Sequence, residues 1–195
     1  MTYALIALSY LIGATPTSYW MGRAVHGLDL REHGSGNLGA TNVFRILGAK
    51  WALPVVAVDI AKGFLPVWFF PGMVGGDLRW TLAFGGAAIV GHIFSLWVGF
   101  KGGKGVATSL GLFSYIMPWA TLCAVGVFSA CLWISGYVSI GSIMAAISLP
   151  LFAIYFKLPL PYIYLAAIVG LFTLQKHYDN ILRLIEGTET KFLRK

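Results

Sequence analysis

The chain has 195 residues, 58% of them hydrophobic and only 11% charged, with a net charge of +7. Ordinary soluble domains carry about 25% charged residues, and none of this length could bury so much apolar chain. The positive balance comes with no basic, aromatic-studded polar face, so it speaks against nucleic acid and for membrane topology.

The first uncharged stretch runs from Met1 to Gly22. No basic residue precedes it, and it holds Thr15, Pro16, Thr17 and Ser18, so it reads as a retained first span rather than a cleaved signal. Arg23 follows at once. Because Lys and Arg accumulate on the cytoplasmic side of a bilayer, this places the N-terminus outside and residues 23–50 in the cytoplasm. The second span, Trp51 to Pro71, contains Asp59 and Lys62. Three apart on one helix, they read as a neutralising pair, since either alone would cost about 2.5–3.5 kcal/mol at the bilayer centre. A short glycine-rich outer loop leads to a third span, Trp80 to Phe100, in which His92 reads as a packing or hydrogen-bonding residue. The chain then returns to the cytoplasm at Lys101-Gly102-Gly103-Lys104.

From Gly105 to Phe156 come 52 residues without a charge. They could hold two ordinary spans or three short ones. Three spans would break at Met117-Pro118 and Ser135-Gly136, put Lys157 outside and keep the tail from Lys176 inside. Then 11 of the 14 Lys and Arg residues are cytoplasmic, whereas two spans erase the bias. The expected architecture is all-α, a polytopic transmembrane helical bundle of seven spans, N-terminus outside and C-terminus cytoplasmic. Gly105 to Ile116 is only 12 residues, about 18 Å at the helical rise against about 30 Å of hydrocarbon. It must begin below the membrane surface, lining a polar cavity, because irregular backbone at that depth survives only buried in protein or wet. Trp51, Trp80, Trp97, Trp119 and Trp133 fit an interfacial belt. Cys123 and Cys131 lie in the apolar run and have neither disulfide nor metal-ligand spacing.

Three polar clusters share the cytoplasmic face of this topology. The first is Gly34-Ser35-Gly36-Asn37-Leu38-Gly39-Ala40-Thr41-Asn42, followed by Arg45. The second is Gly102-Gly103-Lys104-Gly105-Val106-Ala107-Thr108, and the third is Lys176-His177-Tyr178-Asp179-Asn180 with Arg183 beyond it. Glycines let backbone amides turn inward as an anion nest, and the helix starting after Gly103 adds its positive end. Arg45 and Lys104 supply full charge, while Ser35, Asn37, Thr41 and Asn180 supply directed hydrogen bonds. Two or more phosphates are the natural guests. Gly36, Gly39, Asn42, Gly102 and Gly103 belong to the same binding set, and Ser142, after the Ser135-Gly136 break, is a further phosphate contact. Glu186 and Glu189 are read as residues that orient cations. Arg183, Lys191, Arg194 and Lys195 are read as contacts to anionic headgroups. The second cluster is not a Walker A loop, because Val98 and Gly105 stand where that motif needs Gly and Ser or Thr.

Taken together, Ser-Gly-Asn-x-Gly-Ala-Thr-Asn, Gly-Gly-Lys-Gly-Val-Ala-Thr and His-x-Asp-Asn-Ile resemble the bacterial acyl-phosphate:glycerol-3-phosphate acyltransferases. Asp59-x-x-Lys62-Gly63 and Gly91-His92-x-Phe94 extend the resemblance along almost the whole chain. It implies one integral-membrane acyltransferase domain over residues 1–195, with Ser35, Lys104, His177 and Asn180 as catalytic residues. It implies transfer of a fatty acyl group from acyl phosphate to the 1-hydroxyl of glycerol 3-phosphate, giving lysophosphatidic acid and phosphate without metal or cofactor. The implied setting is the bacterial cytoplasmic membrane with the site facing the cytoplasm. The implied state is a monomer whose partners are the bilayer and the soluble enzyme that makes acyl phosphate, with no nucleic acid.

The chemistry suits these residues. Acyl phosphate is already activated and its leaving group is phosphate, so no covalent enzyme nucleophile is needed. No Gly-x-Ser-x-Gly elbow is present to support one. The His with Asp five positions on that marks the larger family of glycerol-lipid acyltransferases is also missing: after His33, His92 and His177 that position holds Leu38, Trp97 and Leu182. Positioning two reactants can supply about 7–11 kcal/mol, and stabilising the oxyanion supplies more. The expected mechanism is direct attack in a ternary complex, with either His177 or a substrate phosphate oxygen as base. An anion channel or phosphate transporter is the alternative. It would show polar groups along a path and usually an internal repeat, whereas here the polar groups crowd one face. A scaffold that recruits lipid enzymes leaves the glycine loops unexplained.

Overall fold

The computed structural model describes residues 1–192, so Arg194 and Lys195, read above as headgroup contacts, lie outside the described residues. Among the described residues every regular element is helical. Contacts divide the chain into two units, Met1–Tyr115 and Ile116–Lys195.

The first unit begins with α1 (Thr2–Ala14) and α2 (Thr17–His26), then α3 (Ala40–Leu47), α4 (Ala49–Phe69), α5 (Leu78–Ile93) and α6 (Val106–Ile116), whose last residue starts the second unit. The stretch read as one crossing, Met1 to Gly22, is therefore two helices. Pro16 lacks an N–H and disfavours helical geometry in the residue before it, so α1 stops and its last carbonyls need outside donors. They have them: Ser95 Oγ donates to the Ala14 carbonyl, and Lys62 Nζ donates to the Thr15 carbonyl at 2.5 Å. Lys62 also pairs with Asp59 at 2.6 Å, both side chains buried, as the spacing on the second span suggested. His92 Nδ1 lies 3.9 Å from Asp59 Oδ1, beyond hydrogen-bonding distance.

Lipid tails give helices no hydrophobic reason to associate, so close backbone approach through small residues must supply the attraction. Gly13 faces the Ala88 backbone and Gly91 faces the Tyr10 carbonyl, which brings α1 and α5 together. Gly63 against the Thr108 carbonyl and Gly111 against the Ile60 carbonyl do the same for α4 and α6. A Cβ at any of the four would overlap the facing backbone.

The second unit holds α7 (Pro118–Ser135), α8 (Val138–Tyr155), α9 (Leu160–Lys176) and the short α10 (Tyr178–Ile185). The 52 uncharged residues thus contain three helices, α6, α7 and α8. Pro118 opens α7 at its first turn, and Gly136 closes it in left-handed geometry at φ 80°. Gly141 packs on Phe128 and Gly170 on the Ala146 carbonyl, joining α8 to α7 and α9. Four helical stretches among the described residues are long and apolar enough to cross a membrane: Ala49–Val74, Leu78–Val98, Pro118–Ser135 and Val138–Tyr155. At 11 residues α6 is shorter than those four, as its place after the glycine loop led one to expect.

Candidate active site

The first polar cluster is a loop wound around one side chain. Asn42, 1% exposed, sits in the first turn of α3 and reaches back along the chain. Its Oδ1 accepts from the Ser35 amide at 2.9 Å, and its Nδ2 donates to the carbonyls of Leu30 at 3.1 Å and His33 at 3.0 Å. Both of its N–H bonds are thereby engaged, so Asn42 shapes the loop rather than offering donors outward. Gly34 and Gly36 adopt φ of 63° and 69°, left-handed geometry that only glycine enters without cost. A side chain at Gly34 would also collide with the Asn42 amide. Ser35 is left exposed, and Gly36, Asn37, Gly39, Thr41 and Arg45 are half-buried. The Asn42 and Val43 amides donate to the Gly39 carbonyl, so the amides of Ala40 and Thr41 precede the helical ladder.

Asp29 anchors the loop's entry. Its carboxylate accepts from the Arg31 amide at 3.0 Å and from Arg31 Nη2 at 2.6 Å, with Arg23 Nη2 at 3.3 Å. The hydrogen bond from the Arg31 guanidinium, above all, holds the Asp29 carboxyl down at about 2 against an ordinary 3.8.

The second cluster meets the first. Gly103 packs so closely on the Leu38 carbonyl and the His92 ring that a side chain would overlap the ring nitrogen. The Gly102 and Gly103 amides donate to the carbonyls of Ile93 and His92, each at 3.1 Å. The expected anion nest is therefore not the reason for these two glycines. They let the chain double back onto the last turn of α5, and the half-buried Lys104 comes next, just ahead of α6. Beneath the turn lies a small cleft lined by Thr15, Thr17, Leu38, Asp59, Lys62 and His92 among others.

The third cluster is built within the second unit. His177 stands at the α9–α10 junction, 3% exposed, with its Nδ1 2.8 Å from the Thr173 carbonyl. A carbonyl has no proton to give, so Nδ1 must carry one, and in the neutral ring Nε2 is the basic nitrogen. Asn180 and Glu189 are also buried. Glu189 Oε1 accepts from Asn180 Nδ2 at 2.7 Å and from Ser139 Oγ at 3.2 Å, while Oε2 accepts from Arg183 Nε at 2.7 Å. Arg183 is thus bound to a carboxylate of this chain and not only a headgroup contact. Ser142 is buried one turn beyond Ser139 on α8. Sequence reasoning gave Glu189 only a minor role, and its charge among nearby cations was the one available signal.

The glycerol-3-phosphate acyltransferase family matches residues 3–187. The chain is 42% identical over 192 residues to the glycerol-3-phosphate acyltransferase of Fusobacterium nucleatum subsp. nucleatum, covering 97% of both chains. It is 41% identical over 186 residues to that of Endomicrobium trichonymphae, covering 95% of this chain and 93% of that one. The crystal structure of PlsY, an integral membrane glycerol 3-phosphate acyltransferase, in its glycerol 3-phosphate form, matches with a TM-score of 0.93 and 36% identity. That match covers 98% of this chain and 96% of that one. The lysophosphatidic acid form matches at 0.88 with 35% identity, over 97% and 94% of the two chains. This chain belongs to the glycerol-3-phosphate acyltransferase family, and its fold is that of a helical integral membrane protein.

Proposed function

We propose that this protein transfers a fatty acyl group from acyl phosphate to the 1-hydroxyl of glycerol 3-phosphate, releasing phosphate and lysophosphatidic acid. The observation that carries the reading is the near full-length likeness to a protein solved with glycerol 3-phosphate. The residues support it. Arg45 and Lys104 offer cations to substrate phosphates, with Ser35, Asn37 and Thr41 as hydrogen-bonding groups and Ser142 as a further contact. Gly36, Gly39, Asn42, Gly102 and Gly103 hold the two loops in shape for them. His177 and Asn180 complete the set.

The transfer is direct. The glycerol hydroxyl attacks the acyl carbon, the C–O bond to phosphate breaks, and the hydroxyl proton passes to His177 Nε2 or to a substrate phosphate oxygen. Because the leaving group is already good, alignment of the two reactants does most of the work. The accompanying topology is a single membrane domain of seven spans, N-terminus outside and C-terminus inside, in the cytoplasmic membrane of a bacterium. The protein acts as a monomer with its site open to the cytoplasm, supplied by a soluble enzyme that makes acyl phosphate.

Purified protein in detergent, given labelled acyl phosphate and glycerol 3-phosphate, tests the reading. Labelled lysophosphatidate with sequential kinetics is the expected result. A trapped acyl-enzyme or ping-pong kinetics overturns direct transfer. Phosphate counterflow in sealed vesicles without any lysophosphatidate selects a transporter instead.

A further inference from the structure

We propose that His92 is a positioning residue for acyl transfer, its ring fixing where the Gly102-Gly103 turn docks and so where the Lys104 side chain starts; the inference rests on the functional reading above.

His92 lies in the last turn of α5 and is 8% exposed. On one side its Nδ1 is 3.9 Å from Asp59 Oδ1. Asp59 is bound to Lys62 at 2.6 Å, and Lys62 Nζ donates in turn to the Thr15 carbonyl. Such a pair is costly to disturb, because parting it leaves a buried charge unpaired. The ring therefore stands beside a part of the molecule that yields little. Ser95, just past the end of α5, ties the same region to the Ala14 carbonyl.

On the other side is the turn. Any side chain at Gly103 would overlap His92 Nε2, and it would press on the Leu38 carbonyl as well. Leu38 belongs to the first polar loop, and its own side chain is buried in a core with Leu30, Val43 and Val55. The amides of Gly102 and Gly103 donate to the carbonyls of Ile93 and His92. Those two bonds set the direction of the turn, while the ring sets how near it comes to Leu38 and to the α4 pair. One ring thus stands where three parts meet: the ion pair, the loop of Ser35 and the loop of Lys104. Close-packed interiors pass a displacement on to their neighbours. A shift of about 1 Å in a group that aligns a reactant can cost about 10²-fold in rate.

Steady-state kinetics and thermal unfolding of the full chain in detergent provide the test. His92→Ala raises KM for glycerol 3-phosphate or acyl phosphate about tenfold, with kcat changed less than about threefold. A merely structural histidine would lower the folded fraction, and with it kcat and the unfolding temperature, and would leave both KM values alone. His92→Gln, whose amide reaches the place of Nε2, returns KM to within about threefold of the parent. The second readout is suppression. Gly103→Ala raises KM in the parent because its methyl meets the ring. In the His92→Ala background the ring is gone, and the same substitution raises KM by a factor at least about threefold smaller. Both KM values within about threefold of the parent for His92→Ala overturn the inference alone. So does a Gly103→Ala loss as large in the His92→Ala background as in the parent, complete inactivity in both included. His92→Leu, which ends short of Nε2, replaces the alanine variant under the same criteria if that variant does not fold. If neither folds, His92 is structural and the inference fails. A parent protein that makes no lysophosphatidate overturns the functional reading with it.

Discussion

The loop wound around Asn42 and the cluster gathered on Glu189 each depend on one buried polar side chain, built on opposite plans. Asn42 is neutral and bonds to backbone groups 7, 9 and 12 positions away. Glu189 is charged and bonds to side chains 6, 9 and 50 positions away. A neutral amide sets the shape of a backbone without bringing an ion out of water. A carboxylate orients other side chains, but it needs a cation beside it. The first plan suits a loop that must keep one shape, and the second suits a cluster whose side chains must keep fixed directions.

The contrast is broken most sharply at His177, next to the charged cluster. His177→Ala lowers kcat about 10²–10⁴-fold with both KM values nearly unchanged if Nε2 takes the hydroxyl proton. A loss confined to KM assigns the base to a substrate phosphate. The buried pair in α4 sharpens the role of charge. Lys62→Met strands Asp59 and costs about 3–5 kcal/mol, whereas adding Asp59→Asn recovers most of that; thermal unfolding in detergent reads both. Asn42→Ala leaves the Ser35 amide and two carbonyls without their partner and costs about 2 kcal/mol, seen as faster proteolysis within residues 27–39 and a lower kcat/KM. Asn42→Asp, which still accepts from Ser35 but cannot donate, falls between. The smallest effect concerns acid. Asp29 is held at about 2 against 3.8, so its contribution is complete above pH 4 and is lost as the pH falls toward 2. Amide exchange in residues 27–39 speeds up over that window, and Asp29→Asn removes the dependence.

These differences also explain what could be read without a structure. Pro118 and Gly136 interrupt an apolar run, one suited to the first turn of a helix and the other to a left-handed end, so the divisions of the long run were legible. Pro16 carried the same signal. It went unused because Met1 to Gly22 has the right length for one crossing, and nothing local shows that Lys62 and Ser95 cap the break. Gly102 and Gly103 were noticed for a reason the fold does not bear out: the fit against His92 and Leu38 is a tertiary property. Glu189 was the least legible of the central residues. Its partner Ser139 lies a full helical hairpin away, and sequence spacing carries no trace of that meeting.

The interrupted first helix has a bearing on how the protein is made. When α1 first enters the bilayer, the helices that carry its capping residues are not yet packed against it. Until α4 and α5 arrive, only water can satisfy the Ala14 and Thr15 carbonyls, and hydrocarbon has none to give. That turn must therefore stay hydrated early in biogenesis and sink to its final depth only when its two donors come to meet it.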